Sequence, residues 1–432
     1  MPHQELQEET SIVDKEPLTY QILRDAVSDT AMAFRAITDL DPAGGDGDKL
    51  FPPTYQGGVY ATETRIINGS PAPCVLLDSV QSQANRLELA LLDWHRSAES
   101  GSKPFPLVQI DFSKTDAKEV GVFTSLEAPH RIADAVFLVC EIEENGERKP
   151  FRHPKQPEKG SAIGRKIDEA SSANATSIFE LCPTALILGM WDSHGPRRGL
   201  GEKFQRALVS EIIGVGATHD NRRPASRIDP LIKVAGESLP IAVSADGTWS
   251  LTGKGKGATK LSKVGLGNVT PSLKDPDSGE YNHGGVSIQH ARQITVLSLP
   301  ALRRLRFPVE NPAKQEDANI EARTTLAALA LAAVARQWAQ GFSLRSRCDL
   351  VPRGDLVFSL LSPGREKHFT LTPTQAAELL SKASRAARNC GLPWPTSKSE
   401  PPWHDGCLTL FPADNLVRAV AESRRLAAEQ RE

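Results

Sequence analysis

Apolar positions near both ends of the chain recur at helical spacing. The first series begins at Leu18 and predicts a helix that ends near Asp41-Pro42, with apolar groups on one face at Ile22, Ala26, Val27, Phe34 and Ile37. Towards the C-terminus, alanine-rich patterns predict helices over 324–340 and 375–389, each followed by a glycine that favours helix termination. A last amphipathic helix is predicted over 415–430.

Short apolar runs rich in β-branched or aromatic residues predict strands between these helices. They lie at 74–77, 107–110, 135–140, 184–190, 293–299 and 356–360. Directly after the first run, Asp78 or Ser79 can cap a helix, which makes a β–α unit. The mixture predicts an α+β fold whose sheet is assembled from segments that are far apart in the sequence.

Polar stretches rich in glycine and proline interrupt these elements. They lie at about 41–72, 150–177 and 244–285 and predict inserted loops, of which the second and third are expected to project from the body. Residues 1–17 are acidic and predict a disordered N-terminus.

The composition excludes several classes of protein. The longest apolar run, 326–335, is about half as long as a bilayer span, so it is expected to be a buried helix, with no membrane contact. The acidic N-terminus lacks the layout of a secretion signal, which predicts a cytoplasmic protein. The 6 cysteines form no CxxC pair, which indicates reduced thiols rather than a metal site or a disulfide framework. No cofactor is expected.

The formal net charge of -2 hides an uneven distribution along the chain. Residues 1–48 hold eleven acidic and three basic side chains, whereas residues 197–263 hold twelve basic and six acidic ones. A basic region of this kind is typical of a nucleic-acid footprint, because lysine and arginine release counterions from phosphates. An ordinary solvated face explains the charge equally well.

The segment 182–216 has the most informative pattern. It is interpreted as a strand, a glycine-rich turn with Trp191, Arg197 and Arg198, and a helix with Lys203 and Arg206. Glycines, a helix N-terminus and arginines together suit phosphate, but no GxxxxGK[ST] motif supports a nucleotide triphosphate site. Trp191 either stacks on a base or packs against its own core.

Asp192, Ser193 and His194 adjoin one another in the same segment. Sequence neighbours do not present their side chains to one another as a catalytic triad requires. They are interpreted as turn residues that bind their own backbone.

Further polar and basic clusters are candidates for nucleic-acid contacts. The start of the helix after 74–77 carries Gln81, Gln83, Asn85 and Arg86, which either bind bases and ribose or form a solvated first turn. Two basic clusters suit a phosphate backbone: 254–263, which includes Lys254 and Lys256, and 303–307. In the second cluster, the arginines could instead protect a strand edge.

Four long motifs together resemble the Cas seven-type RAMP family of type I-U/I-G CRISPR systems. They are LLDSVQSQANRLE, PTALILGMWDSHG, GEKFQRALVSEIIG and HGGVSIQHARQITVLSLPALRRLRFP, and the resemblance runs from about Tyr20 to about Phe307. It implies a modified RRM or ferredoxin-like palm over 18–310, with the three inserted loops as fingers and thumb. Residues 311–432 are then a mainly helical C-terminal part packed on the palm.

The resemblance also implies a function. Copies of the chain stack head to tail along a CRISPR guide RNA (crRNA), target DNA pairs with the exposed guide bases, other subunits of the Cascade complex join, and a recruited helicase-nuclease degrades the target. The backbone subunit has no catalytic role in this scheme. The implied RNA contacts are Gln81, Gln83, Asn85, Arg86, Trp191, Arg197, Arg198, Lys203 and Arg206, and the thumb is expected within 244–270.

Two alternatives remain open at this point. The chain could be a metal-independent endoribonuclease that processes the guide precursor, with His194, His219 or His283 as acid and base. Related type III proteins cut target RNA with a thumb aspartate, and although Asp246 is the only aspartate in the expected thumb, a cutting role for it is disfavoured. A nucleotide-dependent metabolic enzyme is disfavoured, because the sequence lacks a phosphate fingerprint.

Overall fold

The computed structural model describes residues 15–56, 58–99, 101, 103–153, 155–193, 203–219, 229–231, 239–244, 246–252, 258–266, 284–396, 399 and 402–429. The helices within these ranges are α1 (Tyr20–Ser28), α2 (Val80–Ser97), α3 (Ala135–Leu138), α4 (Ala162–Asp168), α5 (Thr176–Leu181), α6 (Pro183–Leu188), α7 (Leu299–Arg303), α8 (Gln315–Gln340), α9 (Pro373–Asn389) and α10 (Asp414–Glu429). The strands are β1 (Lys15–Pro17), β2 (Ala33–Pro42), β3 (Thr62–Ile67), β4 (Ser70–Asp78), β5 (Leu107–Asp111), β6 (Val122–Thr124), β7 (Cys140–Glu144), β8 (Glu147–Pro150), β9 (Met190–Trp191), β10 (Lys203–Phe204), β11 (Leu208–Val215), β12 (Thr218–His219), β13 (Pro240–Val243), β14 (Trp249–Leu251), β15 (Thr259–Lys260), β16 (Val286–Ser287), β17 (His290–Ser298), β18 (Phe342–Arg345), β19 (Cys348–Pro352), β20 (Val357–Ser362), β21 (Arg365–Thr370), β22 (Trp403–His404) and β23 (Cys407–Pro412).

Four strands form the centre of the larger sheet. Their order is β20–β2–β17–β11, and each neighbouring pair is antiparallel. Helix α2 lies between β2 and β11 in the chain, and α8 lies between β17 and β20. The two helices contact each other, α2 packs against β11, and α8 packs against β17. This β–α–β–β–α–β order is the ferredoxin-like arrangement, so the predicted α+β palm is confirmed.

Strand β2 replaces the end of the first predicted helix. Phe34 is buried and Ile37 is 50% exposed, so these two apolar residues lie on opposite faces. Burial alternates from Phe34 to Leu40, which is the period of a strand. The prediction of a helix up to Asp41-Pro42 is therefore wrong, because α1 ends at Ser28.

Helix α8 is the central helix of the core. By length and composition, the helical segment Pro312–Gln340 could cross a membrane, but 94% of its most apolar window is buried inside the molecule. The run 326–335 is buried throughout, as the sequence predicts. The helix ends at Gly341, whose φ of +85° lies in the left-handed region that glycine adopts readily.

A second sheet is built from the segment between α2 and β9 together with the C-terminal region. Its order is β6–β5–β23–β7–β8, with β22 beside β23. Strand β23 pairs in parallel with β5 and antiparallel with β7. One continuous hydrophobic core joins the two sheets, since it contains Phe34 of β2, Ile110 of β5, Leu326 of α8 and Leu410 of β23.

Three of the predicted elements have the wrong type. Residues 135–140 form α3 and the start of β7, and most of 184–190 forms α6. Residues 184–188 are buried on every side, so neither helical nor strand periodicity distinguishes them. The predicted helix with Lys203 and Arg206 is also wrong, because 208–215 is a β-branched run that pairs with β17 and β4 as β11.

The N-terminal boundary and the second insertion also differ from the sequence prediction. Residues 15–17 form β1, which pairs in parallel with β21, while residues 1–14 lie outside the described ranges. The expected projecting loop 150–177 contains α4 and the start of α5, and its Phe151 and Arg152 are fully buried. The polar composition did not reveal that this segment belongs to the core. Its buried arginine is tolerated there because two aspartates neutralise the charge.

The other inserted segments contain strands. Residues 41–72 include β3 and the start of β4, which extend the palm sheet beyond β11. Residues 244–285 include β14 and β15, which pair with β13 in a three-stranded sheet, and 267–283 lie outside the described ranges. The C-terminal part, 311–432, supplies α8, α9 and α10 as expected, but also β18–β21 to the palm sheet.

Candidate nucleic-acid interface

A cleft of about 930 Å³ lies between helix α2 and the β9–β10 hairpin. We call it the α2 cleft. One wall is the exposed face of α2, and the remaining walls come from the segments Leu126–Arg131, Leu188–Trp191 and Lys203–Arg206. It brings together five of the residues that the sequence predicts as RNA contacts: Gln81, Asn85, Trp191, Lys203 and Arg206.

Helix α2 presents a stripe of side chains to the cleft. The Ser79 hydroxyl accepts from the Ser82 amide and begins the helix, so Ser79 is the cap among the two residues that the sequence allowed. Gln81, Asn85 and Leu89 then follow at intervals of four residues, so they lie on one face. All three are exposed and line the cleft.

Gln83 lies on the opposite face of α2 and is fully buried. Its amide is hydrogen-bonded to four polar side chains: Asp78 (2.6 Å), Ser210 (3.0 Å), Gln293 (2.9 Å) and Gln337 (3.0 Å). The prediction that Gln83 contacts RNA is therefore wrong. Polar composition alone did not reveal that this amide satisfies buried partners from the sheet and from α8.

Arg86 also joins palm elements to one another. Its Nε lies 2.9 Å from a carboxylate oxygen of the buried Asp78, and its Nη2 donates to the Leu344 carbonyl at 2.7 Å. These contacts tie α2 to β4 and β18. Arg86 is not among the residues that line the α2 cleft.

The β9–β10 hairpin supplies the aromatic and cationic side chains of the cleft. Trp191 pairs with Lys203 across the hairpin, and the Lys203 Nζ lies 4.8 Å from the indole centroid. The indole is 48% exposed, so it is available for stacking. Arg206 donates from Nε to the Leu188 carbonyl at 3.1 Å, which orients its guanidinium beside the hairpin.

A buried salt bridge fixes the hairpin to α2. Arg131 Nη2 donates to Glu88 of α2 at 2.9 Å, and Arg131 Nη1 donates to the Gly189 carbonyl at 2.9 Å. Arg131 adopts a φ of +54°, which is uncommon for a residue other than glycine. Burial raises the pKa of Glu88 to about 7, while the Arg131 charge opposes the rise. The backbone directly before Trp191 is therefore held against the palm.

A second buried ion cluster holds the other side of Trp191. Arg152 donates to Asp192 at 2.5 Å and also contacts Asp168 of α4. Asp192 is 6% exposed, so its carboxylate serves this cluster rather than the turn hydrogen bonds that the sequence suggested. Burial raises the pKa of Asp168, although the Arg152 charge opposes this.

Several predicted candidates lie outside the described residues. These are Arg197, Arg198, Lys254, Lys256, His194 and His283, together with the side chain of His219. Asp246 is described and exposed, and its carboxylate accepts from the Thr248 hydroxyl and amide, which lowers its pKa.

The structure adds residues that the sequence did not single out. His130 and Gln205 line the α2 cleft, and Arg304 donates to the Gln205 side chain at 2.8 Å. Arg304 belongs to the basic cluster 303–307, whereas its neighbour Arg303 donates to backbone carbonyls around α1. His130 carried no sequence signal, because its segment reaches the cleft only through the folding of the second sheet.

The α2 cleft is lined by groups that can bind a ligand. Within the described ranges, no group of three or more histidine, cysteine, aspartate or glutamate side chains is arranged to hold a metal ion. The described cleft instead combines exposed amides, an indole and cationic groups. Such a combination suits a single nucleic-acid strand, whose phosphates pair with cations and whose bases stack on aromatic rings.

The chain is similar to one known protein family and to solved structures. Residues 34–219 match the family described as CRISPR-associated protein GSU0053, and this range contains every segment that lines the α2 cleft. No curated protein matches the sequence. Among solved structures, the crystal structure of Csc2 from Thermofilum pendens is similar over 85% of this chain and 77% of that chain, at 12% identity and a TM-score of 0.28.

Proposed function

We propose that the chain, whose residues 34–219 match the family described as CRISPR-associated protein GSU0053, is the crRNA-binding backbone subunit of a type I-U/I-G CRISPR interference complex. The observation that carries the proposal is the α2 cleft, which lies within the family match and joins an exposed indole to cationic side chains. The ferredoxin-like palm supplies the rigid helix α2 that forms one wall.

Single-stranded RNA suits the cleft for electrostatic and geometric reasons. Lys203 and Arg206 can each neutralise a phosphate, and Trp191 offers an indole face on which a base can stack. Stacking of one base on an aromatic side chain contributes about 1–3 kcal/mol. Backbone and stacking contacts do not depend on sequence, which is what a protein that holds many different guides requires.

In this proposal, the chain acts in an assembly in the cytoplasm. Copies bind head to tail along the crRNA, exposed guide bases pair with target DNA, and other Cascade subunits complete the complex for antiviral defence. A recruited helicase-nuclease degrades the target, and the chain itself has no catalytic role. Contacts between copies that do not close into a ring allow the oligomer to grow along the RNA.

The proposal is tested by expressing the chain with a guide array and its partner subunits. We expect bound RNA to co-purify at low salt and its affinity to fall steeply as salt increases, because phosphate contacts release counterions. The double substitution Trp191→Ala, Lys203→Ala should weaken RNA binding at least about tenfold, since it removes a stacking surface and a phosphate contact. Fluorescence anisotropy with a labelled guide measures the affinity.

A matched control distinguishes the loss of contacts in the α2 cleft from the loss of a positive charge elsewhere on the surface. Lys382 is an exposed lysine on α9, and Lys382→Ala should leave the affinity within about twofold. A preparation without RNA at low salt, or equal losses in the cleft and control variants, would count against the proposed function. Arg197→Ala, Arg198→Ala, in the segment outside the described residues, is expected to weaken binding as well.

A further inference from the structure

The basic cluster 303–307 forms no salt bridge with a carboxylate in the described part of the chain. It begins at the last residue of α7 and continues in a loop, so its arginines do not protect a strand edge. Arg304 and Arg306 are exposed. Arg304 donates to the Gln205 side chain, and Arg306 donates to backbone carbonyls, so both keep their full positive charge.

A buried arginine adds to the positive charge beside this cluster. Arg323 of α8 is 6% exposed, and within the described residues its guanidinium donates to the Leu305 carbonyl alone, at 3.1 and 2.8 Å. Burial, together with the Arg306 and Arg303 charges, lowers the pKa of Arg323 to about 10. A buried charge is normally paired, because its removal from water is costly. The positive potential of the cluster is therefore available to an anion from outside.

Arginines on the strands of the palm sheet are neutralised instead. Three of them lie within 3.0 Å of a carboxylate oxygen of another strand: Arg35 with Glu366, Arg65 with Glu211, and Arg292 with Asp39. A paired arginine must give up its carboxylate before it binds a phosphate, whereas an unpaired arginine presents its planar donors directly. The cluster 303–307 is therefore better suited to phosphate than the palm strands are.

The cluster adjoins the α2 cleft. Arg304 Nη1 donates to Gln205 Oε1 at 2.8 Å, and Gln205 lines the cleft. At the start of α7, the Ser298 amide donates to the Ala207 carbonyl at 2.8 Å, which fixes α7 beside the same segment. A strand that leaves the cleft past Gln205 therefore meets Arg304 next.

We propose that Arg304 and Arg306 bind phosphates of single-stranded RNA where the strand leaves the α2 cleft, and that the neighbouring Arg303 and Arg323 maintain the positive potential of this site. The inference rests on the proposed function and extends the RNA contact of one copy beyond the cleft. Phosphates are the same in every guide, so this contact does not depend on the base sequence.

The salt dependence of RNA binding tests the two exposed arginines. For the full-length chain and a labelled 12-nucleotide RNA of mixed sequence, each phosphate contact contributes about −0.7 to the slope of log affinity against log salt concentration. Arg304→Ala, Arg306→Ala should reduce the size of this slope by about 1.4, and Arg304→Ala alone by about 0.7. Trp191→Ala removes a stacking surface, so it should weaken binding and leave the slope unchanged. An unchanged slope in the arginine variants would overturn the proposal, whatever their affinity.

Two further variants distinguish a phosphate contact from a structural role and from general charge. Arg304→Lys, Arg306→Lys retains both charges and should keep the slope within about 0.3 of that of the unmodified chain. Arg365→Ala, Arg385→Ala removes two exposed arginines, on β21 and α9, and should keep it as well. A reduced slope in the lysine variant would assign the arginines to structural contacts, and an equal reduction in the remote variant would show a general charge effect. Either result would refute the site.

The outcomes also separate this inference from the proposed function. Failure of the unmodified chain to bind RNA at low salt would refute both. Salt-sensitive binding with the same slope in the alanine variants would leave the RNA-binding function intact and refute the phosphate site. A labelled 12-residue oligoglutamate tests for an acidic protein partner. Binding of this peptide that requires Arg304 and Arg306, together with an unchanged RNA slope, would assign the cluster to such a partner and overturn the proposal.

Discussion

Gln81 and Gln83 are two positions apart on α2, and their surroundings are opposite. Gln81 is exposed in the α2 cleft, whereas Gln83 is fully buried and bonded to polar groups of β4, β11, β17 and α8. A buried amide with every partner in place stabilises the fold, since each partner would otherwise be desolvated without a hydrogen bond. The same residue type therefore belongs to a buried hydrogen-bond network at one position and lines the α2 cleft at the other.

We expect Gln83→Ala to lower the free energy of unfolding by about 2–4 kcal/mol, because it leaves several buried polar groups unsatisfied. Urea denaturation followed by circular dichroism measures the change. Gln81→Ala is the control and should stay within about 0.5 kcal/mol of the unmodified chain. Similar decreases in the free energy of unfolding in the two variants would contradict the assignment of Gln83 to the core.

The buried histidine His95 predicts that the stability of the fold depends on pH. It is 5% exposed, and its Nε2 lies 3.8 Å from the Cys407 sulfur. Burial, together with the nearby Lys103 charge, lowers the pKa of His95 to about 4, and Asp405 opposes the shift. The folded state therefore binds a proton less readily than the unfolded state, whose histidine titrates near 6.5.

The contribution of His95 to stability should be fully present above about pH 6.5 and should be lost progressively as the pH falls towards 4. The loss should reach at most about 3 kcal/mol, from the shift of the pKa. In His95→Gln, the stability should vary less with pH over this range, as measured by urea denaturation at a series of pH values. Parallel pH profiles for the two proteins would contradict a depressed pKa.

The α2 cleft depends on a turn that local sequence patterns do not reveal. Gly189 has a φ of +86°, and its carbonyl accepts from the buried Arg131. A Cβ at this position would meet Arg206 Cγ at 2.8 Å and the Arg206 backbone nitrogen at 3.2 Å. The turn thus needs glycine for both its backbone conformation and its close approach to the cleft arginine.

Gly189→Ala is expected to destabilise the fold by about 1–3 kcal/mol and to weaken RNA binding as well. Gly341→Ala provides a matched control, because Gly341 has a φ of +85° with no atom within 4 Å of the position of an added Cβ. It should reduce stability through backbone strain alone. Measurements of unfolding and of RNA anisotropy on both variants separate the two effects, and equal RNA affinities would show that the turn does not shape the cleft.

Elements whose apolar residues recur at a clear helical or strand spacing could be predicted from the sequence, and elements without such a spacing could not. The C-terminal ends of α8 and α9 follow from alanine-rich helical faces and the glycines that come after them, and most of β17 follows from an apolar run rich in β-branched residues. Helix α6 is apolar on all sides, and the region before β11 mixes turn and β-branched residues, so local patterns misassign both. The cleft residues Trp191 and Lys203 were found through their chemistry, whereas His130 needed the tertiary fold.

At the scale of the whole molecule, the second sheet is held together by a strand from the C-terminal region. Strand β23 lies between β5 and β7, and its Leu408 and Leu410 are fully buried. It completes the sheet of the inserted segment, which supplies Arg131 and His130 to the α2 cleft. The cleft therefore depends on a segment that is far away in sequence and does not touch it.

A chain that ends at residue 396 should fail to form a soluble, cooperatively folded protein, because an inner strand is missing and two strand edges are left unpaired. A chain that ends at residue 413 retains β23 and lacks only α10, so it should remain soluble with a reduced urea midpoint. Expression yield and urea denaturation compare the two. Cooperative unfolding of the shorter chain would contradict the central role of β23.

The position of β23 also bears on the order of folding during synthesis. Gln109 of β5 donates to Thr409 of β23 across 300 positions of sequence. Contacts of such long range form late, because the intervening chain must first be made and ordered. A nascent chain on the ribosome is therefore expected to carry an incomplete second sheet, and with it an unsupported wall of the α2 cleft, until β23 has emerged.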